Sequence, residues 1–373
     1  MAIKNLHDHP FDEGTITKLE IFEAYTKEWL PVFVMSPYKH ICMFDLFAGP
    51  GRDKNGVAGS PIRILQQING MLESIISRAK RVYVWLNEYD QNKFETLQNN
   101  CNQFINDNEA LKNAIEKETV KLKYTRCDFA ELFPEIITII KRFPSLVFLD
   151  QNGIKFLSDQ YFKELVTTST VDFLYYVSSS YFFRFGERPE FSMNVQIDMQ
   201  RAKENPYKFI HRSLLEQFRE KLPADSNMKP YPFSIKKGAN VYGIIFGASH
   251  PLAVDKFLNV AWKKNTINGE ANFDIDEDLT KSQLLLFEAK KPTKKEGFAA
   301  LLREKILKQE LRTNNDVYLF TLDQGHIPSH AADELKQMKK EGLIDYKSIS
   351  PLVSYDQIFN NHRIIEYKLM TKQ

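Results

Sequence analysis

The pattern of apolar and polar positions divides the chain into alternating strands and helices. Short apolar runs predict strands at residues 41–45, 81–86, 120–125, 146–149 and 171–177. Helical spacing of apolar residues precedes the first run, at 15–34, and returns between the later runs. Because strands that alternate with helices usually pair in parallel, the pattern predicts an α/β fold with a doubly wound sheet.

After the fifth run the pattern changes to a hairpin and then to helices. Residues 231–235 and 241–246 alternate on either side of a Lys-Lys-Gly turn, which predicts two antiparallel strands. Helical stretches follow at 298–311, 313–322 and 331–340, and a β-ribbon follows at 343–346 and 364–369. Thr313 has the spacing of a capping box, and Ser329 is placed to cap the third helix. This order predicts a C-terminal winged-helix module.

A charged segment at residues 288–296 contains Pro292 and is the predicted domain boundary. The predicted organisation is an α/β domain at 1–287 that includes a helix at 15–30, a charged linker and helix at 288–312, and a winged-helix domain at 313–373.

The end of the first predicted strand carries the clearest sign of a ligand. Asp45 ends an apolar run, and Gly49 and Gly51 lack the Cβ atoms that would keep a ligand from the backbone. A dinucleotide fingerprint requires a third glycine where Lys54 stands, which disfavours NAD and FAD. S-adenosylmethionine (AdoMet) has no pyrophosphate and suits this turn better. The alternative interpretation is a tight turn after a core strand.

Acidic residues also follow the next predicted strands. Glu88 is placed to accept both hydroxyls of a ribose, and Asp128 to accept the adenine amino group, with Phe129 beside the ring. Asp150 and Asn152 follow the fourth strand. Each acid taken singly could cap a helix or lie in a solvated loop. Because ligands bind at the carboxyl ends of parallel strands, the set predicts an AdoMet site.

Composition narrows the class of protein without naming its activity. Lys and Arg number 50 against 48 Asp and Glu, so a nucleic-acid partner would need a local basic face. The cysteines at 42, 101 and 127 are widely spaced, which indicates reduced thiols. No run has the length of a membrane span and the first residues do not form a signal peptide, so we expect a cytoplasmic protein that does not enter the membrane.

Two metal-like spacings do not predict a metal site. Aspartates at 274, 276 and 278 resemble the opening of a calcium loop, but leucines stand where its glycine and its bidentate glutamate belong. His326 and His330 flank Pro328, which predicts a loop here instead of a helix that aligns two metal ligands.

Several segments together resemble the three-Cys-motif partner protein family (TcmP), which are prokaryotic proteins with a class I methyltransferase-like (Rossmann-like) fold. The segments are DLFAGPG with the following Gly59-Ser60-Pro61, Asn87-Glu88, Cys127-Asp128-Phe129, FLDQNG, YVSSSYFFRF, VYGIIFGASHP, the pattern at 314–342 and Lys18 in the first helix. The resemblance implies AdoMet as cofactor and a partner, similar to radical-AdoMet proteins, that carries three clustered cysteines. The cofactor-binding residues are then Lys18, Asp45, Phe47, Gly49, Gly51, Ser60, Glu88, Asp128 and Phe129.

The chain departs from amino-methyltransferases after the fourth strand. Those enzymes resemble one another in a D/N-P-P-Y/F tetrapeptide, and residues 150–153 here lack both the proline and the aromatic. If a methyl acceptor binds, Asp150 and Asn152 are placed to polarise it, and Tyr181 or Phe182 to stack on a base, with Arg184 in the same segment. Core packing is the alternative for such aromatics.

The winged-helix prediction adds a candidate nucleic-acid surface. Lys336, Lys339 and Lys340 point outward from the third helix, where they could contact DNA or RNA. The alternative is a solvated face, balanced by Asp333, Glu334 and Glu341.

Three functions remain open at this point. The first is an AdoMet-dependent methyltransferase that acts on or binds nucleic acid with the three-Cys partner. The second is a noncatalytic scaffold with a degenerate AdoMet site, which docks that partner on nucleic acid. The third is a DNA-binding protein whose large domain senses AdoMet.

Overall fold

The chain forms two compact units, Met1–His250 and Pro251–Gln373. The computed structural model describes residues 10–151, 159–168, 170–177, 198–204, 207–281 and 291–370. The charged linker and helix that the sequence predicts at 288–312 lie within the second of these units. Residues 288–290 of this segment are outside the described residues. Each unit is described by itself below.

The first unit alternates helices and strands as the apolar pattern predicts. Its helices are α1 (Glu13–Met35), α2 (Ser60–Gly70), α3 (Leu72–Ser77), α4 (Gln91–Asn106), α5 (Glu109–Glu116), α6 (Phe129–Ile140), α7 (Asp159–Val166), α8 (Met199–Lys203) and α9 (Ile210–Glu220). Its strands are β1 (His40–Asp45), β2 (Arg81–Asn87), β3 (Val120–Thr125), β4 (Ser145–Leu149), β5 (Val171–Val177), β6 (Lys229–Lys237) and β7 (Asn240–Ala248).

One mixed sheet organises the first unit, with strand order β3-β2-β1-β4-β5-β7-β6. Strands β1 to β5 run parallel, and β7 lies antiparallel between β5 and β6. The carboxyl ends of three central strands are level, because Asp45 pairs in register with Leu86 on one side and with Phe148 on the other. This order and the antiparallel β7 define the class I methyltransferase fold, as expected from the resemblance.

Helix α1 covers one face of the sheet and is fixed to it by a buried polar contact. Its N-cap Asp12 accepts a hydrogen bond from the backbone N–H of Thr15. Further along, the Tyr25 hydroxyl donates a 2.6 Å hydrogen bond to Asp172 Oδ2 on β5, and both residues are buried. The helix continues past Pro31 to Met35. The anchored helix brings its first turns to the sheet edge where β4 ends.

The second unit consists of short helices and a small β-ribbon. The elements are α10 (Pro251–Lys264), α11 (Asp278–Lys281), α12 (Lys294–Leu307), α13 (Asn314–Asp323), α14 (Pro328–Lys340), β8 (Ile344–Asp345), a single π turn (Asp356–Asn360) and β9 (Lys368–Leu369). Strands β8 and β9 pair antiparallel. The order helix, helix, helix, ribbon from α12 onward is that of a winged helix.

Helix ends in the second unit follow the sequence signals with one exception. The predicted capping box at Thr313 is present, and Gly325 has a positive φ of 70° after α13 ends. The predicted cap Ser329 is wrong, because α14 begins one residue earlier. Pro328 is its first residue, where the missing N–H costs no hydrogen bond, and Ile327 occupies the N-cap position.

A buried asparagine ties the start of α13 to the ribbon. Asn314 is fully buried, and its amide donates to the carbonyl oxygens of Leu352 and Arg363 while its oxygen accepts from the N–H of Ile365.

In the part of the chain that the structure describes, no helix is both long and apolar enough to cross a membrane.

Candidate functional site

A buried acid lies at the centre of the sheet edge. Asp45 is the last residue of β1 and has 0% exposure. Its Oδ1 accepts one long hydrogen bond, 3.4 Å, from the N–H of Phe47. Its Oδ2 is buried and has no hydrogen-bond partner among the described residues. Buried carboxyl oxygens are nearly always paired, so this oxygen marks a place for a ligand group.

Burial raises the pKa of Asp45 to about 7. The negative charges of Asp150 and Glu88 add to the rise, whereas the hydroxyl of Ser60 favours the ionised form. Ser60 is therefore close to the carboxyl, as its place in the predicted cofactor set requires. It is the first residue of α2, whose N-cap is Gly59. Asp45 can thus change charge near neutral pH when a cation approaches it.

The turn after β1 brings its backbone to the same edge. Gly49 and Gly51 have positive φ angles of 61° and 81°, which residues with a Cβ adopt only at a cost. A Cβ at Gly51 would lie 3.3 Å from Leu97 Cδ1. The carbonyl oxygen of Gly51 accepts a 2.8 Å hydrogen bond from the N–H of Gly59, which closes the loop before α2. Glycine is therefore required here by the conformation of the turn.

Glu88, the predicted ribose acceptor, also supports this turn. Its Oε2 accepts a 2.9 Å hydrogen bond from the N–H of Gly49, and its Oε1 accepts a 2.9 Å bond from the N–H of Asp90. An ionised carboxylate offers about four acceptor positions, so two remain for further donors. The structure thus brings Asp45, Gly49 and Glu88 together as predicted from the strand ends.

Asn87 has a positioning role that sequence reasoning missed. It is 2% exposed, and its amide donates to the carbonyl oxygens of Leu46, at 3.3 Å, and Cys127, at 3.1 Å. Its oxygen accepts from the Thr125 hydroxyl and from the N–H of Cys127. One side chain therefore joins the ends of β1, β2 and β3. The available signal was an asparagine directly after an apolar strand, where burial is expected.

The two residues predicted to hold adenine differ in their surroundings. Asp128 caps α6, with Oδ1 accepting from the N–H of Ala130 at 2.9 Å. Phe129 is only 2% exposed and packs against Phe47, with ring centroids 5.3 Å apart, and against Tyr161. In this structure the Phe129 ring is part of the core, and the partly buried Phe47 ring covers it. An adenine contact from Phe129 stays a prediction.

Lys18 and Asp150 form an ion pair at the edge where β4 ends. The ammonium of Lys18, from α1, donates to Asp150 Oδ2, and the two side chains are 8% and 23% exposed. The same ammonium lies 4.4 Å from the ring centroid of Tyr176 on β5. A predicted cofactor residue and a predicted catalytic residue, 132 positions apart, are therefore direct partners.

Some predicted site residues fall outside the described residues. These are Asn152, Tyr181, Phe182 and Arg184. Gln151, which precedes them, is described and is 3% exposed.

The lysines predicted to contact nucleic acid divide into two kinds. Lys339 binds within the second unit, because its ammonium lies 2.8 Å from Asp345 Oδ1 and 2.9 Å from the carbonyl oxygen of Tyr346. Lys336 and Lys340 are exposed, and Lys336 forms an exposed ion pair with an aspartate one turn earlier on α14. Exposed pairs of this type contribute little stability, so both ammonium groups can be redirected to phosphates.

The two histidines around Pro328 form a partly buried contact. His326 Nδ1 lies 3.0 Å from His330 Nδ1, and the His326 ring stacks on Phe298 at 4.1 Å. The predicted loop is wrong for His330, which lies inside α14. Burial lowers the pKa of His326 to about 2 and of His330 to about 4, so both rings are neutral. Among the described residues, no three His, Cys, Asp or Glu side chains are grouped to hold a metal ion.

The arrangement fits AdoMet in its donors and acceptors. A buried carboxyl oxygen without a partner suits the amino group of a methionine moiety, and Glu88 retains acceptor positions for ribose hydroxyls. The glycine turn between them presents backbone without side chains. These features lie at the carboxyl ends of central parallel strands, where ligands of open α/β sheets bind.

Comparison with known proteins gives a family-model match in the C-terminal part of the chain. Residues 272–348 match the family model described as "GMT-like wHTH domain". No curated protein sequence gives a significant match. Among solved structures, the chain is similar to "METTL16 MTase domain", with 10% identity over 61% of this chain and 66% of that chain at a TM-score of 0.31. It is also similar to "Human methyltransferase 10 domain containing protein", with 7% identity over 65% of this chain and 85% of that one at 0.30.

The first of these structural matches spans just under two thirds of the METTL16 chain. Because both TM-scores lie below 0.5, the fold assignment rests on the strand order of the sheet. The resemblance to the TcmP family stays a prediction. The chain thus combines a methyltransferase fold with a C-terminal GMT-like winged helix-turn-helix domain.

Proposed function

We propose that this protein is an AdoMet-dependent methyltransferase that acts on nucleic acid. The observation that carries the proposal is the buried Asp45 carboxyl, whose Oδ2 has no hydrogen-bond partner among the described residues. An unpaired buried oxygen costs free energy, and the amino group of a bound amino acid moiety offsets this cost. The carboxyl lies beside the glycine turn, at the strand end that the fold uses for ligands.

The chain's own residues supply binding and orientation. Asp45, Gly49 and Gly51 hold the methionine end, Glu88 the ribose, and Asp128 the adenine amino group. Bound AdoMet supplies a methyl group on a positively charged sulfonium. Transfer then depends mainly on alignment of the acceptor and exclusion of water. The winged helix favours nucleic acid as the acceptor, since such modules commonly bind it.

Titration calorimetry of the full chain with AdoMet and with S-adenosylhomocysteine tests the proposal. Wild type should bind both ligands, and Asp45→Asn should weaken binding at least roughly tenfold, because an amide is a poorer acceptor for an ammonium group. Asp172→Asn is the matched control. Asp172 is also a buried aspartate of the same sheet with a pKa raised to about 7. It is the second residue of β5, away from the carboxyl end of that strand. Folded wild-type protein that binds neither ligand would exclude the proposal.

A noncatalytic scaffold is the second candidate. The Asp150-Gln151-Asn152-Gly153 sequence, without the proline and aromatic of amino-methyltransferases, favours it. In that case a degenerate AdoMet site would dock a three-Cys partner on nucleic acid. The partner itself rests on the family resemblance alone. Asp150→Ala separates the candidates, because a methyltransferase should lose transfer while its complex with the partner stays intact.

A further inference from the structure

The Lys18–Asp150 ion pair is the feature of the site that AdoMet binding does not explain. Both groups lie at the end of β4, and the Lys18 side chain is 8% exposed. Burying two opposite charges gains little stability over an apolar pair, because both lose their hydration. Stability therefore does not account for the pair, and its charges are available to act on a bound molecule.

The pair has spare hydrogen-bonding capacity on both sides. An ammonium has three donors, and Lys18 uses one of them on Asp150 Oδ2. The Tyr176 ring lies 4.4 Å from the ammonium on another side and keeps it in place. Within the described part of the chain, the Asp150 carboxylate has no hydrogen bond other than the one from Lys18. A bound group can thus accept a hydrogen bond from Lys18 and, at the same time, donate one to Asp150.

This combination suits an oxygen acceptor better than an amino group. An exocyclic amine becomes positively charged as its nitrogen attacks a methyl group, and a neighbouring ammonium opposes that charge. A hydroxyl behaves in the opposite way. As it loses its proton the oxygen becomes negative, and a neighbouring ammonium stabilises it.

We propose that the acceptor is a ribose 2′-hydroxyl, so that the protein methylates RNA and not DNA. The inference rests on the proposed methyltransferase function and specifies its substrate. Every internal RNA nucleotide carries a 2′-hydroxyl, whereas DNA has no hydroxyl at that position. The Lys18–Asp150 pair is the part of the site that distinguishes RNA from DNA, because it contacts the 2′-hydroxyl.

The step balances with the groups present. The hydroxyl oxygen forms a new bond to the methyl carbon while the bond between that carbon and sulfur breaks. The electron pair of the broken bond stays on sulfur and neutralises the sulfonium. The hydroxyl proton passes to the Asp150 carboxylate and then to water, which the 23% exposure of this side chain permits. Lys18 keeps its proton throughout and stabilises the oxygen.

The first test identifies the methylated atom. Full-length protein is incubated with labelled AdoMet and either an unmodified RNA transcript pool or DNA of the same sequences. RNA digests should contain 2′-O-methylnucleosides, and the adjacent phosphodiester bonds should resist alkali, while DNA stays unlabelled. Label on nitrogen or carbon, equal labelling of DNA, or no transfer to RNA by protein that binds AdoMet would each overturn the inference. Failure to bind AdoMet would instead overturn the proposed function itself, and the inference with it.

The second test concerns Lys18. Lys18→Met should lower kcat for RNA roughly hundredfold or more, as for loss of a group that stabilises developing charge. AdoMet binding measured by calorimetry should stay within about threefold, since the pair acts on the acceptor. Lys18→Arg, which keeps the charge, should recover part of the rate. Unchanged kcat in Lys18→Met, or a loss of AdoMet binding equal to the loss of rate, would contradict the inference.

Lys237→Met provides the matched control. Lys237 likewise forms a lysine–aspartate ion pair near the start of α1, with the N-cap residue Asp12, but these side chains are 38% and 39% exposed. This variant should transfer methyl groups at the wild-type rate within about twofold, because exposed pairs contribute little. An equal loss of rate in both variants would show that Lys18 acts only by holding α1, which overturns the inference.

Discussion

The N–H of Gly49 donates a 2.9 Å hydrogen bond to Glu88 Oε2, so the carboxylate at the end of one strand holds the turn after its neighbour. Two predicted cofactor residues are therefore coupled before any ligand binds. Because Glu88 Oε1 also accepts from Asp90, the carboxylate keeps both loops in place. A ribose would meet a carboxylate that is already oriented.

Substitution of Glu88 should affect both stability and binding. Glu88→Gln keeps one oxygen acceptor and should lower the free energy of unfolding by about 1 kcal/mol, while Glu88→Ala should lower it by about 2 kcal/mol. AdoMet affinity should fall in the same order. Urea unfolding and calorimetry measure the two effects, with exposed Glu135→Gln as the control. Wild-type stability in Glu88→Ala would show that the two hydrogen bonds are not formed.

Binding of AdoMet should release a proton near neutral pH. The pKa of Asp45 is raised to about 7 mainly by burial, and the cationic amino group of a ligand favours the ionised form. Affinity should therefore rise roughly tenfold between about pH 6 and pH 8 and level off above. Calorimetry in two buffers with different ionisation enthalpies measures the released proton. Asp45→Asn should show a flat profile, and a flat profile in wild type would contradict this account.

Asp172 should make the first unit less stable as the pH rises. Burial raises its folded-state pKa to about 7 from an ordinary value of 3.8, so the native state binds the proton more tightly than the unfolded chain. The resulting stabilisation is fully present below about pH 4 and is lost as the pH approaches about 7.

Asp172→Asn removes this dependence and retains an oxygen acceptor for the Tyr25 hydroxyl. We compare the unfolding free energy of the variant with that of wild type at each pH. This difference should shift in favour of the variant by on the order of 2–3 kcal/mol between about pH 5 and pH 8. Urea unfolding at both values measures the change. An equal difference at the two values would contradict the raised pKa.

Asn87 should be among the least tolerant positions of the ligand edge. Asn87→Asp replaces two donated hydrogen bonds by repulsion between a carboxylate and the carbonyl oxygens of Leu46 and Cys127. The loss should be on the order of 2–4 kcal/mol of unfolding free energy. Asn99→Asp, on the exposed face of α4, is the control and should change it by less than about 0.5 kcal/mol. Similar losses in both variants would contradict the role assigned to Asn87.

The lysines of α14 should separate into binding and structural positions. Lys336→Gln and Lys340→Gln should each weaken RNA binding. Each should also reduce the slope of log binding constant against log salt concentration by about one. Lys339→Gln should mainly lower the melting temperature, because that ammonium bonds Asp345 and Tyr346. Anisotropy titrations at several salt concentrations measure the slopes. Exposed Lys308→Gln, at the C-cap of α12, is the control, and an unchanged slope in Lys336→Gln/Lys340→Gln would exclude this surface.

The sequence by itself determined the strands of the large sheet, and the carboxyl ends of its parallel strands to within one residue. The ribbon strand predicted at 364–369 is shorter, at Lys368–Leu369. Apolar periodicity located β3 and β5 at their observed limits, and the Thr313 capping box and the hairpin of β6 and β7 were predicted correctly. These features depend on contacts within a few residues, such as caps, turns and side-chain alternation. The acidic strand ends likewise indicated the sheet edge where the structure brings Asp45, Gly49 and Glu88 together.

Only the tertiary structure decided how the site residues act on one another. The Lys18–Asp150 pair joins positions 132 residues apart, and Asn87 bonds to the ends of two neighbouring strands. The pKa of Asp45 follows from complete burial and from the charges of Glu88 and Asp150. Spacing along the chain does not encode such distances. They follow from strand order and from the packing of α1 on the sheet, and both of these are non-local.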